Sequence, residues 1–318
     1  MRIVAALGGN ALLERGEAPE ALIQRGHVRR AAQALAPLAA AHHLIVCHGN
    51  GPQVGMLAME SESDPQLSHP YPLDALGAQT QGLIGYWLQQ ELRNAGVAQP
   101  IATVVTQTVV SAADPGFGRP TKFVGPVYSK HRAQVLARDR GWNIAEDGDT
   151  WRRVVASPEP QRFVEMPAIR SLVDSGVVTI CAGGAGAPVI VDDDERLVGV
   201  DAVVDKDLAA ALLARELHAD ALLLLTDVPA VMRDFGSDHA TAIDRIDVAE
   251  LQDLTFPAGS MGPKVEACRR FVEAGTGRAA IGALADAAAL LDGTAGTTVV
   301  ASPLDPRTGR YVESRASR

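Results

Sequence analysis

The sequence predicts an α/β fold on a mainly parallel sheet, and three observations carry that prediction. Short apolar or β-branched runs alternate with longer helix-favouring ones along most of the chain. Three of the apolar runs end in glycine loops, Leu7-Gly8-Gly9-Asn10, Cys47-His48-Gly49-Asn50-Gly51 and Gly183-Gly184-Ala185-Gly186. A strand, then glycines, then a helix is how such a sheet turns backbone N–H groups toward a ligand at the carboxyl ends of its strands. Finally, Asp205-Lys206-Asp207 stands directly before the Ala- and Leu-rich run Leu208 to Leu213, which puts a lysine and an aspartate at a helix start, where an anion is favoured.

In chain order, Arg2 to Leu7 reads as a buried strand closed by Gly8-Gly9-Asn10. Ala21 to Ala41 favours a helix, interrupted by Pro37, and Leu44 to Cys47 is a second buried strand. Tyr71 to Asn94 spaces Leu83, Ile84, Trp87 and Leu88 as a packed helix does, and β-branched Ile101 to Val110 reads as a strand. The segment from about 114 to 160 then changes character, with Pro115, Pro120 and Pro126 among glycines and polar residues, and reads as a lid or small subdomain, with an idle surface excursion equally compatible with its composition. Alternation resumes with a helix from Ile169 and the strand Val177 to Cys181. Val189 to Val191 and Leu197-Val198 flank the acidic turn 192–195 as a hairpin whose carboxylates are read as solvated. Ala221 to Leu225 is the most apolar strand; it ends in Thr226-Asp227. The turn Gly259 to Lys264 opens a helix, strands follow at Ala279 to Gly282 and near Thr298 to Ala301, and the last dozen residues read as loosely ordered.

Composition limits the partners. At 318 residues and 47% hydrophobic, the chain suffices for one large or two ordinary domains. Its 29 Lys and Arg against 38 Asp and Glu give a net charge of -9, so no global basic field exists to hold nucleic acid or an anionic membrane. The apolar start reaches Gly8 too soon for a signal-peptide core and no apolar stretch is long enough to span a bilayer, so a cytoplasmic location is expected. Cys47, Cys181 and Cys268 are widely spaced and read as buried thiols without a disulfide or zinc framework.

Named motifs are mostly excluded. No Gly-x-x-x-x-Gly-Lys-Ser/Thr is present, and Gly275-Thr276-Gly277-Arg278 precedes a strand where a dinucleotide loop must follow one. His42, His43, Cys47 and His48 lack an accompanying carboxylate at ligand spacing, so no protein metal site is expected. Three glycine loops after strands, together with Lys206 and Lys264 at helix starts, point jointly to phosphate chemistry.

The order of Leu7-Gly8-Gly9-Asn10-Ala11, His48-Gly49-Asn50-Gly51-Pro52-Gln53-Val54-Gly55, Thr80-Gln81-Gly82, Gly85-Tyr86-Trp87, Pro120-Thr121-Lys122, Ser157-Pro158, Asp205-Lys206-Asp207 and Pro263-Lys264-Val265 resembles the carbamate kinases of the amino acid kinase superfamily, over nearly the whole chain to about Val300. That resemblance implies an open three-layer α/β/α sandwich with a protruding lid. It implies a lobe for carbamate or carbamoyl phosphate at 1–215, a nucleotide lobe at 216–318, and a homodimer.

The resemblance also implies roles. Lys122 and Lys206 would act on the transferring phosphoryl group and Asp207 would orient lysines. Backbone N–H groups of Gly8, Gly9, Asn10, Gly49, Asn50 and Gly51 would hold the acyl substrate. Lys206, Thr226, Asp227, Met261 and Lys264 would hold ATP or ADP, with Mg²⁺ bound mainly through nucleotide phosphates. Lys122, delivered by lid closure, is expected to stand apart from Lys206 until then, and to supply a charge that related kinases place at Ala6. Phe123, Thr150, Ala182 and Ala185 depart from the usual pattern. Two alternatives stay open: a kinase of another small acid, and a non-catalytic nucleotide or oxyanion binder.

Overall fold

Strand β1 (Arg2–Leu7) shows why the chain folds in layers. Val4 and Ala6 enter one hydrophobic cluster while Ile3, Ala5 and Leu7 enter another, all fully buried, so the strand lies at mid-sheet with helices on both faces. In the computed structural model the described residues are 1–302 apart from 15, 257–260 and 276, together with all but the side chain of Asn10. The elements read from the sequence at Gly259-Ser260, at Thr276 and over the last dozen residues therefore lie outside the described residues.

After β1 come α1 (Ala21–Ala41), β2 (His43–His48), α2 (Gly51–Ser63), α3 (Leu73–Asn94), β3 (Ile101–Thr103) and β4 (Gln107–Val109). The 114–160 segment holds β5 (Lys122–Tyr128), α4 (Lys130–Arg140), β6 (Asn143–Asp147) and β7 (Thr150–Val155). Then follow β8 (Arg162–Phe163), α5 (Met166–Asp174), β9 (Val178–Ile180), β10 (Ala187–Val191), β11 (Leu197–Gly199), α6 (Lys206–Glu216) and β12 (Ala221–Thr226). The chain continues through β13 (Met232–Arg233), β14 (Thr241–Ala242), β15 (Arg245–Asp247), α7 (Val248–Gln252), α8 (Met261–Glu273), β16 (Arg278–Ala283), α9 (Ala287–Asp292) and β17 (Thr297–Val300).

The central sheet among the described residues has eight strands in the order β15-β17-β16-β12-β1-β2-β9-β3. All its pairings are parallel except β16 with β17. Side chains of α5, α6, α7 and α8 pack one face, and those of α1, α3 and α9 the other, which is the three-layer sandwich expected. The sheet runs unbroken across the expected lobe boundary at 215/216, where β1 and β12 pair from Ile3↔Ala221 to Leu7↔Leu225.

Two elements differ from the sequence reading. Helix α1 runs through Pro37 without interruption, because Leu35, Leu38 and Ala39 around it are all buried in the core and hold the turn. The strand expected from Ile101 to Val110 is two, with β3 in the central sheet and β4 in a second sheet of order β11-β10-β4-β8. The break falls at Thr106, whose N–H donates to Gln81 Oε1 at 2.8 Å and whose hydroxyl accepts from Ala182 N at 2.9 Å, so the third glycine loop captures the backbone there.

The 114–160 segment forms its own antiparallel sheet, β5-β7-β6, with α4 packed on it. It lies along α2, where a Cβ on Gly55 would fall 2.1 Å from Gly125 Cα. Glu62 near the end of α2 accepts from Arg153 at 3.0 Å, Trp142 at 3.2 Å and Arg140 at 2.5 Å. Thr150 closes the β6–β7 turn by donating to Asp147 O at 2.8 Å, and Phe123 lies 5.6 Å beneath the Arg152 guanidinium.

Candidate active site

The glycine loops converge because they follow neighbouring strands: Gly8 after β1, Gly49 after β2 and Cys181 to Gly186 after β9, with Thr226 ending β12. Gly183 and Gly184 need to be glycine. A Cβ on Gly183 would lie 2.4 Å from His48 Nε2, and one on Gly184, at φ +59, 2.1 Å from Asn50 Nδ2. Asn50 Nδ2 donates to Thr80 Oγ1 at 2.8 Å, and Thr80 donates to Gly77 O at 2.7 Å. Thr80 and Gln81 are thus buried polar supports on α3, a role that their placement in a packed helix did not reveal.

The N–H groups expected to hold the acyl substrate divide into two kinds. Gly8 N donates to Leu225 O and Gly49 N to Leu7 O, both at 2.9 Å. These two extend the strand ladder by one residue, so their assignment as ligand donors is corrected. Gly9 and Asn10 open a short 3-10 turn, and Asn50 and Gly51 cap and open α2, positions whose N–H groups have no acceptor within their own helix.

Asp205 is the N-cap of α6, accepting from Asp207 N at 2.9 Å and Leu208 N at 3.3 Å, which places Lys206 and Asp207 in the first turn. Asp207, only 5% exposed in its side chain, accepts from Lys206 Nζ beside it and from Lys264 Nζ of α8 at 3.2 Å. One carboxylate therefore holds two lysines.

Lys122, expected to stand apart from Lys206, is ion-paired with the residue just before it. Its Nζ donates to Asp205 Oδ2 at 2.6 Å, so the lid strand β5 delivers its lysine to the residue next to Lys206. The physical reason is charge: Asp205 is buried at the helix start, and the lid lysine is its nearest ionic partner. Asp205 had no role of its own in the sequence reading, and a partner 83 residues away leaves no local signal.

The electrostatics follow from this packing. Burial raises the Asp205 carboxyl, but Lys122 and then Lys206 outweigh it and hold it well below the usual carboxylate range. Burial likewise opposes the Lys206 charge, yet Asp207 and Asp205 raise that ammonium above its ordinary value. Lys264 goes the other way, lowered by burial and by the neighbouring charge of Lys206. Three lysines face two aspartates, and the surplus positive charge lies at the carboxyl ends of the strands. His48, buried against Gly183 with Nδ1 2.9 Å from Gly49 O, is pushed down to about 4 by burial and is neutral at pH 7.

Thr226 and Asp227 lie at the end of β12, with the threonine hydroxyl donating to Asp227 Oδ1 at 3.0 Å, and Met261 is the first residue of α8. Cys47, Cys181 and Cys268 are buried free thiols, and burial pushes Cys47 up to about 12. Ala6 is fully buried in β1 between Cys47 and Leu224, and Asp192 and Asp194 of the acidic turn pair with Arg196.

The sequence profile described as "Amino acid kinase family" matches residues 1–282. The carbamate kinase of Rhizobium meliloti (strain 1021) is 51% identical over 306 residues, covering 95% of this chain and 94% of that protein. The chain belongs to the carbamate kinases of the amino acid kinase family. Solved carbamate kinases agree: that of Giardia lamblia bound to citric acid superposes with a TM-score of 0.88 at 37% identity, covering 95% of this chain and 98% of that one. The Giardia lamblia enzyme bound to AMP-PNP gives 0.84 at 36% identity, over 95% and 98% of the two chains.

Proposed function

We infer that the chain is a phosphotransferase, a carbamate kinase that moves a phosphoryl group reversibly between ATP and carbamate, working toward ATP from ADP and carbamoyl phosphate. The observation that carries this reading is the convergence of Lys122, Lys206 and Lys264 on Asp205 and Asp207 beside glycine loops that offer N–H groups. Phosphoryl transfer needs two oxygens in line and positive charge over the migrating group, and leaves side chains little covalent work. A protein that merely binds a nucleotide has no need of three lysines on one point.

In this mechanism the N–H groups of Gly9, Asn10, Asn50 and Gly51 hold the acyl substrate. Lys206 and Lys122 carry charge over the migrating phosphoryl group, and Lys264 binds the nucleotide phosphates. Asp207 keeps Lys206 and Lys264 at fixed separation, and Asp205 holds Lys122 and the start of α6 together. Thr226, Asp227 and Met261 line the nucleotide side, in the 216–318 lobe, with the acyl substrate in 1–215. Both aspartates are engaged by lysines, so the donor set fits Mg²⁺ held through the nucleotide phosphates, where it would neutralise charge.

The same reading makes the protein a cytoplasmic homodimer. The free buried thiols support a reducing compartment, and no helix among the described residues is long and apolar enough to cross a membrane. Leu83 and Tyr86, exposed three residues apart on α3, and exposed Val191, Leu197 and Val198 on the β10–β11 hairpin supply apolar surface for a second copy. The test is to give the enzyme ADP, Mg²⁺ and a panel of acyl phosphates. Carbamoyl phosphate is expected to yield ATP fastest; preference for acetyl phosphate or another acyl phosphate would move the assignment to a different small acid, and no ATP from any would leave a binder.

A further inference from the structure

Residues 155–159, where the lid rejoins the body, touch three parts of the machinery. Val155 pairs with Lys122 across β5 and β7. Ala156 O accepts from Val203 N at 2.9 Å, two residues before Asp205. Glu159 N donates to Asp114 Oδ2 at 3.0 Å while Gly116 N donates to Asp114 Oδ1 at 2.7 Å, so one carboxylate clips the two ends of the lid together.

The Glu159 side chain points elsewhere. Arg270 of α8 donates to its two oxygens through Nη1 at 2.7 Å and Nη2 at 3.2 Å, across 111 residues of sequence. Arg270 is itself held on its own helix, with Nε donating to Glu266 Oε1 at 2.6 Å. It lies six residues beyond Lys264, about 9 Å along a rigid helix. Exposed ion pairs ordinarily contribute little, but this one is bidentate and both of its ends are fixed by further bonds, the circumstances in which such a pair counts.

We propose that Arg270 and Glu159 are positioning residues that couple the nucleotide helix α8 to the lid stem, so that nucleotide bound at Lys264 favours the lid arrangement that holds Lys122 at Asp205. The proposal rests on the assignment of Lys264 to the nucleotide phosphates. Its basis is linkage: a contact made only when α8 and the stem are in register lets one ligand bias the other element, and by reciprocity the placed lid favours nucleotide. A pair of this kind supports an effect of a few-fold, not an all-or-none switch.

The full-length protein and its Arg270→Gln, Glu159→Gln and doubly reversed Glu159→Arg/Arg270→Glu variants are compared by amide hydrogen exchange over 122–128, with and without AMP-PNP, whose affinity is measured by calorimetry. AMP-PNP is expected to slow exchange in the wild-type strand by roughly 3- to 5-fold. Either single variant binds AMP-PNP a few-fold more weakly, as reciprocity requires, loses that protection, and shows turnover lowered about 3-fold; the double reversal restores protection and turnover. Wild-type protection and turnover in the single variants, or a double reversal that restores neither, overturns the proposal. Binding of AMP-PNP without protection of the wild-type lid overturns the coupling alone, whereas failure of AMP-PNP to bind overturns the Lys264 assignment with it.

Discussion

Asp207 accepts from two lysines on different helices, Lys206 next to it on α6 and Lys264 at 3.2 Å on α8, and so fixes the spacing of two charges meant for one phosphate chain. Asp207→Asn keeps the size and removes the charge. Turnover is expected to fall about 10²-fold with nucleotide affinity nearly unchanged, since the lysines stay near but lose their alignment. Equilibrium ADP binding beside steady-state kinetics checks this. A large loss of ADP affinity at unchanged turnover would make Asp207 part of the nucleotide site instead.

Asp205 offers a cleaner separation of structure from charge. Asparagine caps a helix as well as aspartate does, so Asp205→Asn should leave α6 in place while removing the ionic partner of Lys122. Lys122→Ala is expected to damage turnover by 10²-fold or so and spare ADP affinity. If the two residues act as one unit, the double variant is scarcely worse than Lys122→Ala; losses that simply multiply would show that they act independently.

The third glycine loop carries alanine at two left-handed positions, Ala182 at φ 49 and Ala185 at φ 74. Glycine there would relieve about 1 kcal/mol of backbone strain but forfeit a buried methyl and add unfolded-state freedom, so the effects nearly cancel. Ala182→Gly is therefore expected to be close to neutral in thermal unfolding. Ala210→Gly, equally buried but helical, has no strain to relieve and should cost about 2 kcal/mol. Equal destabilisation by the two substitutions would refute the strained-loop account.

Much of the site was legible in the sequence, for local reasons. Asp205 caps the helix that places Lys206 and Asp207, and the glycine loops announce themselves after apolar strands. What stayed hidden depends on distant partners. Nothing near Gly8 or Gly49 tells that Leu225 and Leu7 take their N–H groups, and nothing near Asp205 tells that Lys122 reaches it from the lid. The split of Ile101 to Val110 into two sheets needs Gln81 and Ala182, both remote in sequence, to capture Thr106. Pro37 misled because core burial outweighs a propensity.

His48 gives a pH dependence with a definite sign. Its folded value of about 4 lies below the ordinary 6.5, so between those limits the unfolded chain binds the proton and the native one does not. The stability present above pH 6.5 is lost as pH falls toward 4, by about 3 kcal/mol from this residue. His48→Asn, which retains a side-chain donor, should flatten that part of a denaturant-midpoint against pH curve. An unchanged slope would mean that His48 protonates as readily in the native state.

The account stands or falls on Lys206, held by Asp207 at the start of α6 with its alkyl chain against Gly49. The direct measurement is ATP formation from ADP and carbamoyl phosphate by purified Lys206→Ala, with circular dichroism and thermal unfolding to show that the fold is kept. Removing a charge aimed at the migrating phosphoryl group is expected to lower turnover by roughly 10²- to 10³-fold or more. A folded variant that still makes ATP at near the wild-type rate would contradict it.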